Sequence, residues 1–395
     1  MTAHPAAPGA AGPATGPATL PEPGFPAEEY AQRLFTARAA MERRGFDALL
    51  VTAPEDVHYL CGLDHQGHFA LTALVVPLYG RPVLIERAME TPTALAQTHG
   101  VTHHGYDDAT DPADALLEAL TPLLPDAPVV GYQPASLSLP PAAWDRLRTA
   151  AGIVWTDGQD LLGGQRAVHT PREIARIREA ARLSDTAMAA GLDAAGAGAG
   201  EHEIAAAVYA AMLTAGGDLP AFAPLVRDTG RLDREHLTWS RRRLGPGDGV
   251  FLELSAARGR YHAPLARLRP APGTPGAARA AATSRAAMDA LCAALRPGAT
   301  AEQVFHTWRR VIETATGEPY ARHHCGYLVG IGFPPGWMGG TRTLRPGNTM
   351  ELRAGMTFHV QSWLLDTALG TYAFSDTALV TEDACEVLTR TPHPQ

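Results

Sequence analysis

A helix pattern that returns after about a hundred residues restricts the fold of this 395-residue chain more than any other feature. The first copy is GAGAGEHEIAAAVYAAMLTAGG (196–217) and the second is GATAEQVFHTWRRVIETATG (298–317). Gly198 pairs with Gly298, Glu203 with Gln303, Ile204 with Val304, Met212 with Ile312 and Gly217 with Gly317. Strand-rich segments follow both copies, GVFLELSAARGRYHAPLARLRP after the first and GMTFHVQSWLL after the second. A single shared helix pattern can arise by chance. A helix followed by strands, twice in the same order, indicates an internal duplication. A long helix over 167–194 introduces the first copy, with Thr170 able to cap it and Pro171 suited to its first turn.

The chain upstream of 163 has a different rhythm. Tyr30, Leu34, Ala37 and Met41 have helical spacing. FDALLVTAP then reads as a buried strand ending at Pro54, and ALTALVVPL, RPVLIER and GIVWTDG as further strands. Helices are predicted over 91–99 and 112–124. This alternation gives an α/β domain over 27–162, followed by a duplicated domain over 163–395, so the whole is α/β (α+β). Residues 1–26 are mostly Ala, Pro, Gly and Thr. Such a segment buries too little surface to offset its ordering entropy, and is predicted to be a disordered tail.

A net charge of −8 and a pI of about 6.0 exclude a nucleic-acid surface, which needs a concentrated basic face. The run Arg241-Arg242-Arg243 reads as a solvated face. No stretch approaches the roughly 18–20 apolar residues of a membrane helix, and the N-terminus lacks the pattern of a signal peptide. The four cysteines (Cys61, Cys292, Cys325, Cys385) contain no CxxC pair and suggest neither a disulfide framework nor a zinc site. The expectation is a cytoplasmic protein that acts on a small molecule.

PREIARIREAARLSD, LRPGATAEQV, LRAGMTFHV and SDTALVTEDACEVLT, set on this duplication, resemble the creatinase/aminopeptidase P/prolidase family over roughly 28–389. The resemblance implies a creatinase-like N-terminal domain, a pita-bread catalytic domain with a pseudo-twofold repeat, and a homodimer. The peptidases of that family hold two divalent metals with two Asp, one His and two Glu, and the metal pair generates hydroxide. The matching positions here are Glu253, Pro264, Tyr327, Gln361 and Ser375. Only Glu253 is a plausible metal ligand, so the resemblance implies no metal and no other cofactor. Creatinase grips a guanidinium with two glutamates, which fall at Ala266 and Gln361, so creatine does not fit. LELSAARGRYHAPLAR, HLTW, GYLVGIGFPPGW and GMTFHV are similar to the metal-free ectoine hydrolase branch. In that branch acids are expected where this chain has Gly336 and Gly339 or Gly340, which implies an altered pocket.

Three residues are candidates for catalysis. His236, at the family's substrate-side histidine, can exchange a proton near neutral pH or else anchor a loop. Glu253, flanked by apolar residues, can bind a cationic nitrogen, orient water or act as an acid; its structural alternative is an ion pair with Arg267. His262 is a second acid/base or nucleophile, or a histidine that fixes the turn. Tyr327 can donate to a developing oxyanion or fill the space that metals would occupy. Gln361 and His359, two apart on one strand face, are substrate-side candidates. Arg260 and Arg267 could hold a substrate carboxylate. Trp239 could wall the pocket or simply pack. The resemblance also places Asp64 and His65 on a loop directed at a partner's active site. The expected activity is metal-independent hydrolysis of a C–N bond in a small, polar or zwitterionic cyclic amidine or amide. Its rivals are a non-catalytic binding protein and a metallopeptidase with unusual ligands.

Overall fold

The computed structural model describes residues 24–150, 152–338 and 342–394. The predicted tail lies almost wholly outside the described residues. Its last part belongs to the folded body, because Phe25 is buried and its ring sits edge-on to Tyr261 at 5.8 Å.

The first half comprises α1 (Ala27–Arg44), β1 (Ala48–Val51), α2 (Pro54–Cys61), β2 (Ala73–Pro77), β3 (Val83–Arg87), α3 (Thr91–Gln97), β4 (Thr102–Tyr106), α4 (Pro112–Leu120), β5 (Val129–Tyr132), α5 (Pro141–Leu147), β6 (Val154–Asp157) and α6 (Asp160–Arg166). Its six strands form one sheet in the order β4-β3-β2-β1-β5-β6. Two antiparallel steps, β1 to β2 and β2 to β3, interrupt otherwise parallel pairing. Pro54 does not close a strand as predicted. It opens α2, where its missing N–H costs nothing at the first helical position. A boundary at Leu162 falls inside α6.

The second half comprises α7 (Pro171–Ala194), α8 (Glu201–Thr214), β7 (Leu225–Asp228), β8 (Val250–Arg258), β9 (Tyr261–Arg269), α9 (Ala277–Ala294), α10 (Ala301–Thr316), β10 (Gly326–Leu328), β11 (Thr357–Thr367), β12 (Gly370–Val380) and β13 (Cys385–Val387). Its strands form a sheet in the order β10-β11-β12-β9-β8-β7, with β13 added to β12. Thr170 caps α7 as expected, and Glu173 completes a capping box with it.

The duplication is visible in the backbone hydrogen bonds. Gly198 N–H donates to Leu244 O and Gly298 N–H to Leu352 O, while the N–H groups of Leu244 and Leu352 return to Ala199 O and Ala299 O. Gly198 and Gly298 have φ of +83° and +82°, a conformation that costs any L-residue about 1–2 kcal/mol. Ile204 and Met212 in one copy, like Val304 and Ile312 in the other, are fully buried. Gly298→Ala is therefore expected to lower unfolding free energy by about 1 kcal/mol in urea titration, without a change in the m-value.

A buried ionic cluster joins the halves. Arg33 of α1 pairs with Glu29 (3.0 Å) and with Glu173 of α7 (3.2 Å), and Tyr261 of β9 donates to Glu173 at 2.6 Å. The Arg33 guanidinium also lies 4.4 Å from the centre of the Phe25 ring.

Candidate functional site

Strand register decides which side chains can meet. Glu253 faces Ala266 across β8 and β9, Ser375 faces Ala266 across β12, and Gln361 faces Ser375 across β11. Pro264 lies two residues before Ala266, and Tyr327 pairs with His359, two residues before Gln361. Because side chains alternate along a strand, Glu253, Pro264, Ser375, Gln361 and Tyr327 share one face. Three of them, Glu253, Tyr327 and Gln361, line a cavity of about 890 Å³.

Glu253 is 5% exposed, and the structure gives its carboxyl no ion pair or hydrogen bond among the described residues. Burial pushes its pKa up to about 7, against the pull of the Arg227 guanidinium and with a push from Glu235. The Gln361 carbonyl oxygen is buried and has no hydrogen-bond partner among the described residues. Tyr327 accepts a hydrogen bond from the Trp337 indole N–H at 2.9 Å, and its hydroxyl lies 2.8 Å from His359 Nδ1. His359 Nε2 is 2.6 Å from Ser375 Oγ. Burial holds the His359 imidazole neutral, with its pKa near 3. Phe222, Trp337 and Trp363 form aromatic walls.

The remaining predicted residues do not all reach this cavity. His236 does, at its mouth, exposed and edge-on to Phe222 at 6.2 Å. His262 lies outside the lining and is not placed for acid/base work. Ala221 N–H donates to its Nε2 at 2.9 Å, so its proton sits on Nδ1 and donates to Arg260 O at 2.8 Å. Both ring nitrogens are spent on backbone, and burial lowers its pKa to about 4. His262→Ala would strand the buried Ala221 N–H and leave Arg260 O with Gly332 N–H as its donor, and is expected to cost about 1–3 kcal/mol in urea unfolding. A catalytic histidine would instead give selective loss of turnover.

Arg267 is also corrected. It pairs with Leu252 on the opposite sheet face, binds Asp376 at 2.7 Å, and donates to the carbonyls of Ala266, Ser375 and Thr391. It therefore forms no ion pair with Glu253. Arg260 occupies the β8–β9 turn at φ +67° and is taken up by Asp64 (2.7 Å), with its guanidinium 4.4 Å from the Phe333 ring centre. Asp64 thus braces a cavity wall from behind. His65 contacts Glu90 (3.5 Å) and His68, and does not line the cavity of its own chain. Trp239 packs edge-on to Tyr209 at 6.0 Å in a helix-facing core. His359 stands behind Tyr327. Gly336 lines the cavity, whereas Gly339 and Gly340 lie outside the described residues.

The sequence reading missed Arg322, one of the cations that line the cavity. Arg322 binds Glu235 at 2.8 Å, and its guanidinium lies 4.7 Å from the Trp363 ring centre. His323 and His324 follow it on the lining, and burial with neighbouring positive charge lowers the His324 pKa to about 4. The available signal was ARHH, a basic run directly before Cys325 and Tyr327 in a loop without periodicity.

Residues 33–168 match the creatinase/prolidase N-terminal domain, and residues 175–382 match metallopeptidase family M24. The chain belongs to metallopeptidase family M24. Among relatives of this M24 protein, ectoine hydrolase of Halomonas elongata is 27% identical, over 93% of this chain and 97% of that one. Probable dipeptidase PepE of Mycobacterium tuberculosis is 28% identical, over 93% and 96%. The crystal structure of dipeptidase PepE from Mycobacterium ulcerans superposes with a TM-score of 0.77 at 26% identity, covering 94% of this chain and 98% of the other. The prolidase from Pyrococcus horikoshii shares the fold with a TM-score of 0.78 at 21% identity, over 92% and 99%.

The family name implies metal, but the donors of this M24 protein do not fit a divalent pair. A hard or borderline cation pair needs several carboxylates or imidazoles. At the five family positions there is one carboxylate, beside a proline, a phenol, an amide and a hydroxyl. Among the described residues no group of three or more His, Cys, Asp or Glu is placed to hold a metal ion.

Proposed function

We propose that this M24 member is a metal-independent hydrolase that cleaves a C–N bond in a small, polar cyclic amidine or amide. The observation that carries the reading is the Glu253 carboxyl, which has no ion pair or hydrogen bond among the described residues and lines a cavity where it shares a sheet face with Tyr327 and Gln361. Gln361 Oε1 supplies an acceptor for a substrate N–H. Glu253 in its carboxylate form takes a proton from water as the oxygen bonds to the ring carbon. It returns that proton to the departing nitrogen as the C–N bond breaks. Arg322, on the cavity lining and shared with Glu235, suits a substrate carboxylate, which favours a zwitterion. The similarity to ectoine hydrolase supports the same substrate class.

The test is turnover by chelator-treated protein with its metal content assayed, against ectoine and other cyclic amidines, creatine and a Xaa-Pro dipeptide. Metal-free cleavage of an amidine supports the reading. Activity that returns only with added metal overturns it. One observation favours the second reading, a binding protein on this fold: His262, the expected partner acid/base, is committed to backbone. Binding of ectoine without turnover would select it.

A further inference from the structure

Two of the five family metal positions, Tyr327 and Ser375, are joined through His359, and hydrogen-bond bookkeeping fixes the direction of that chain. Among the described residues, Ser375 Oγ has one hydrogen-bond partner, His359 Nε2 at 2.6 Å. Ser375 is fully buried, so its hydroxyl proton has no other acceptor and must donate to Nε2. The neutral ring then carries its proton on Nδ1 and donates to the Tyr327 oxygen at 2.8 Å. Trp337 Nε1–H can only donate, and it donates to the same oxygen at 2.9 Å. Both lone pairs of the phenol oxygen are thereby occupied. Its own proton must point elsewhere, and the open direction for this 5% exposed side chain is the cavity that it lines.

We propose that His359, Ser375 and Trp337 are positioning residues that aim the Tyr327 hydroxyl into the cavity, as a fixed donor to the new oxygen on the attacked carbon. The assignment of that target rests on the hydrolase reading above; the orientation of the hydroxyl does not. Two donors feeding one phenol oxygen polarise its O–H bond and strengthen it as a donor. No proton is transferred in this role. The sheet thus places a preorganised dipole, at no reorganisation cost, on the face where the peptidases of this family hold metals.

The first arm of the test needs no substrate. Nitrogen-15 NMR of histidine-labelled protein, with the His359 signals assigned by their loss in His359→Gln, should show the Nδ1–H tautomer. In Ser375→Ala, which removes the donor to Nε2, the ring is released to the Nε2–H form. An Nε2–H tautomer in the unaltered protein overturns the proposal. The second arm uses ectoine. Tyr327→Phe should lower kcat by about 10²-fold with KM little changed. Ser375→Ala should lower kcat less, and the double variant no further than Tyr327→Phe alone. Multiplicative losses would show that Ser375 acts independently of Tyr327, which also overturns it. If ectoine is not turned over, the choice of substrate has failed, and the tautomer alone decides the orientation.

Discussion

Glu253→Gln is expected to abolish turnover and, at pH 8, to make the protein more stable. The first effect follows from proton transfer: an amide can neither take a proton from water nor return one, and kcat should fall by about 10²–10⁴-fold. The second follows from linkage. Burial raises the Glu253 pKa from 4.5 to about 7, so between these values the folded state holds a proton that the unfolded state has released. Stability therefore falls as pH rises through this window and levels off above about pH 7. A shift of that size corresponds to roughly 3 kcal/mol at pH 8, which the neutral glutamine does not forfeit. Thermal melts of both proteins at pH 4 and pH 8 check the sign: the variant should gain at pH 8 and not at pH 4. Activity and stability moving in opposite directions identify a group held for chemistry rather than for packing. A variant that is inactive and also less stable at pH 8 would place Glu253 in the structural class.

The second large effect concerns Arg267. Its guanidinium is 2% exposed and binds Asp376 as well as three carbonyl oxygens from three chain segments. Arg267→Ala leaves the 6% exposed Asp376 without its countercharge, and is expected to cost about 3–5 kcal/mol. Burial already raises the Asp376 pKa against the opposing pull of Arg267, so removing the cation raises it further. Asp376→Asn in the Arg267→Ala background should recover part of the loss, since a neutral amide needs no countercharge. Urea unfolding of the two single variants and the double variant measures this coupling.

Much of the scaffold was legible because it is periodic. Helix and strand spacing, with the repeated glycine before each helix, exposed the duplication without any knowledge of tertiary contacts. Strand parity also carried more than was taken from it. His262, Pro264 and Ala266 alternate with Ala263, Leu265 and Arg267, so once Pro264 is set on the cavity face, Arg267 is committed to the other. His262 shows the opposite limit. Its parity is right, yet Ala221 N–H, forty-one residues away, takes the nitrogen that catalysis would need. No local pattern announces such a contact. Arg322 was missed for a related reason: it sits in an irregular loop, where position depends on Glu235 and Trp363 rather than on spacing.

The Arg33–Glu173–Tyr261 cluster has a consequence for how such chains can recombine. A chimera that takes its first half from a relative without an arginine at that point would leave the Glu173 carboxylate enclosed and unmatched at the seam. Exchange of halves at the linker is therefore not neutral even where both sheets are kept whole. A workable crossover has to carry position 33 together with position 173.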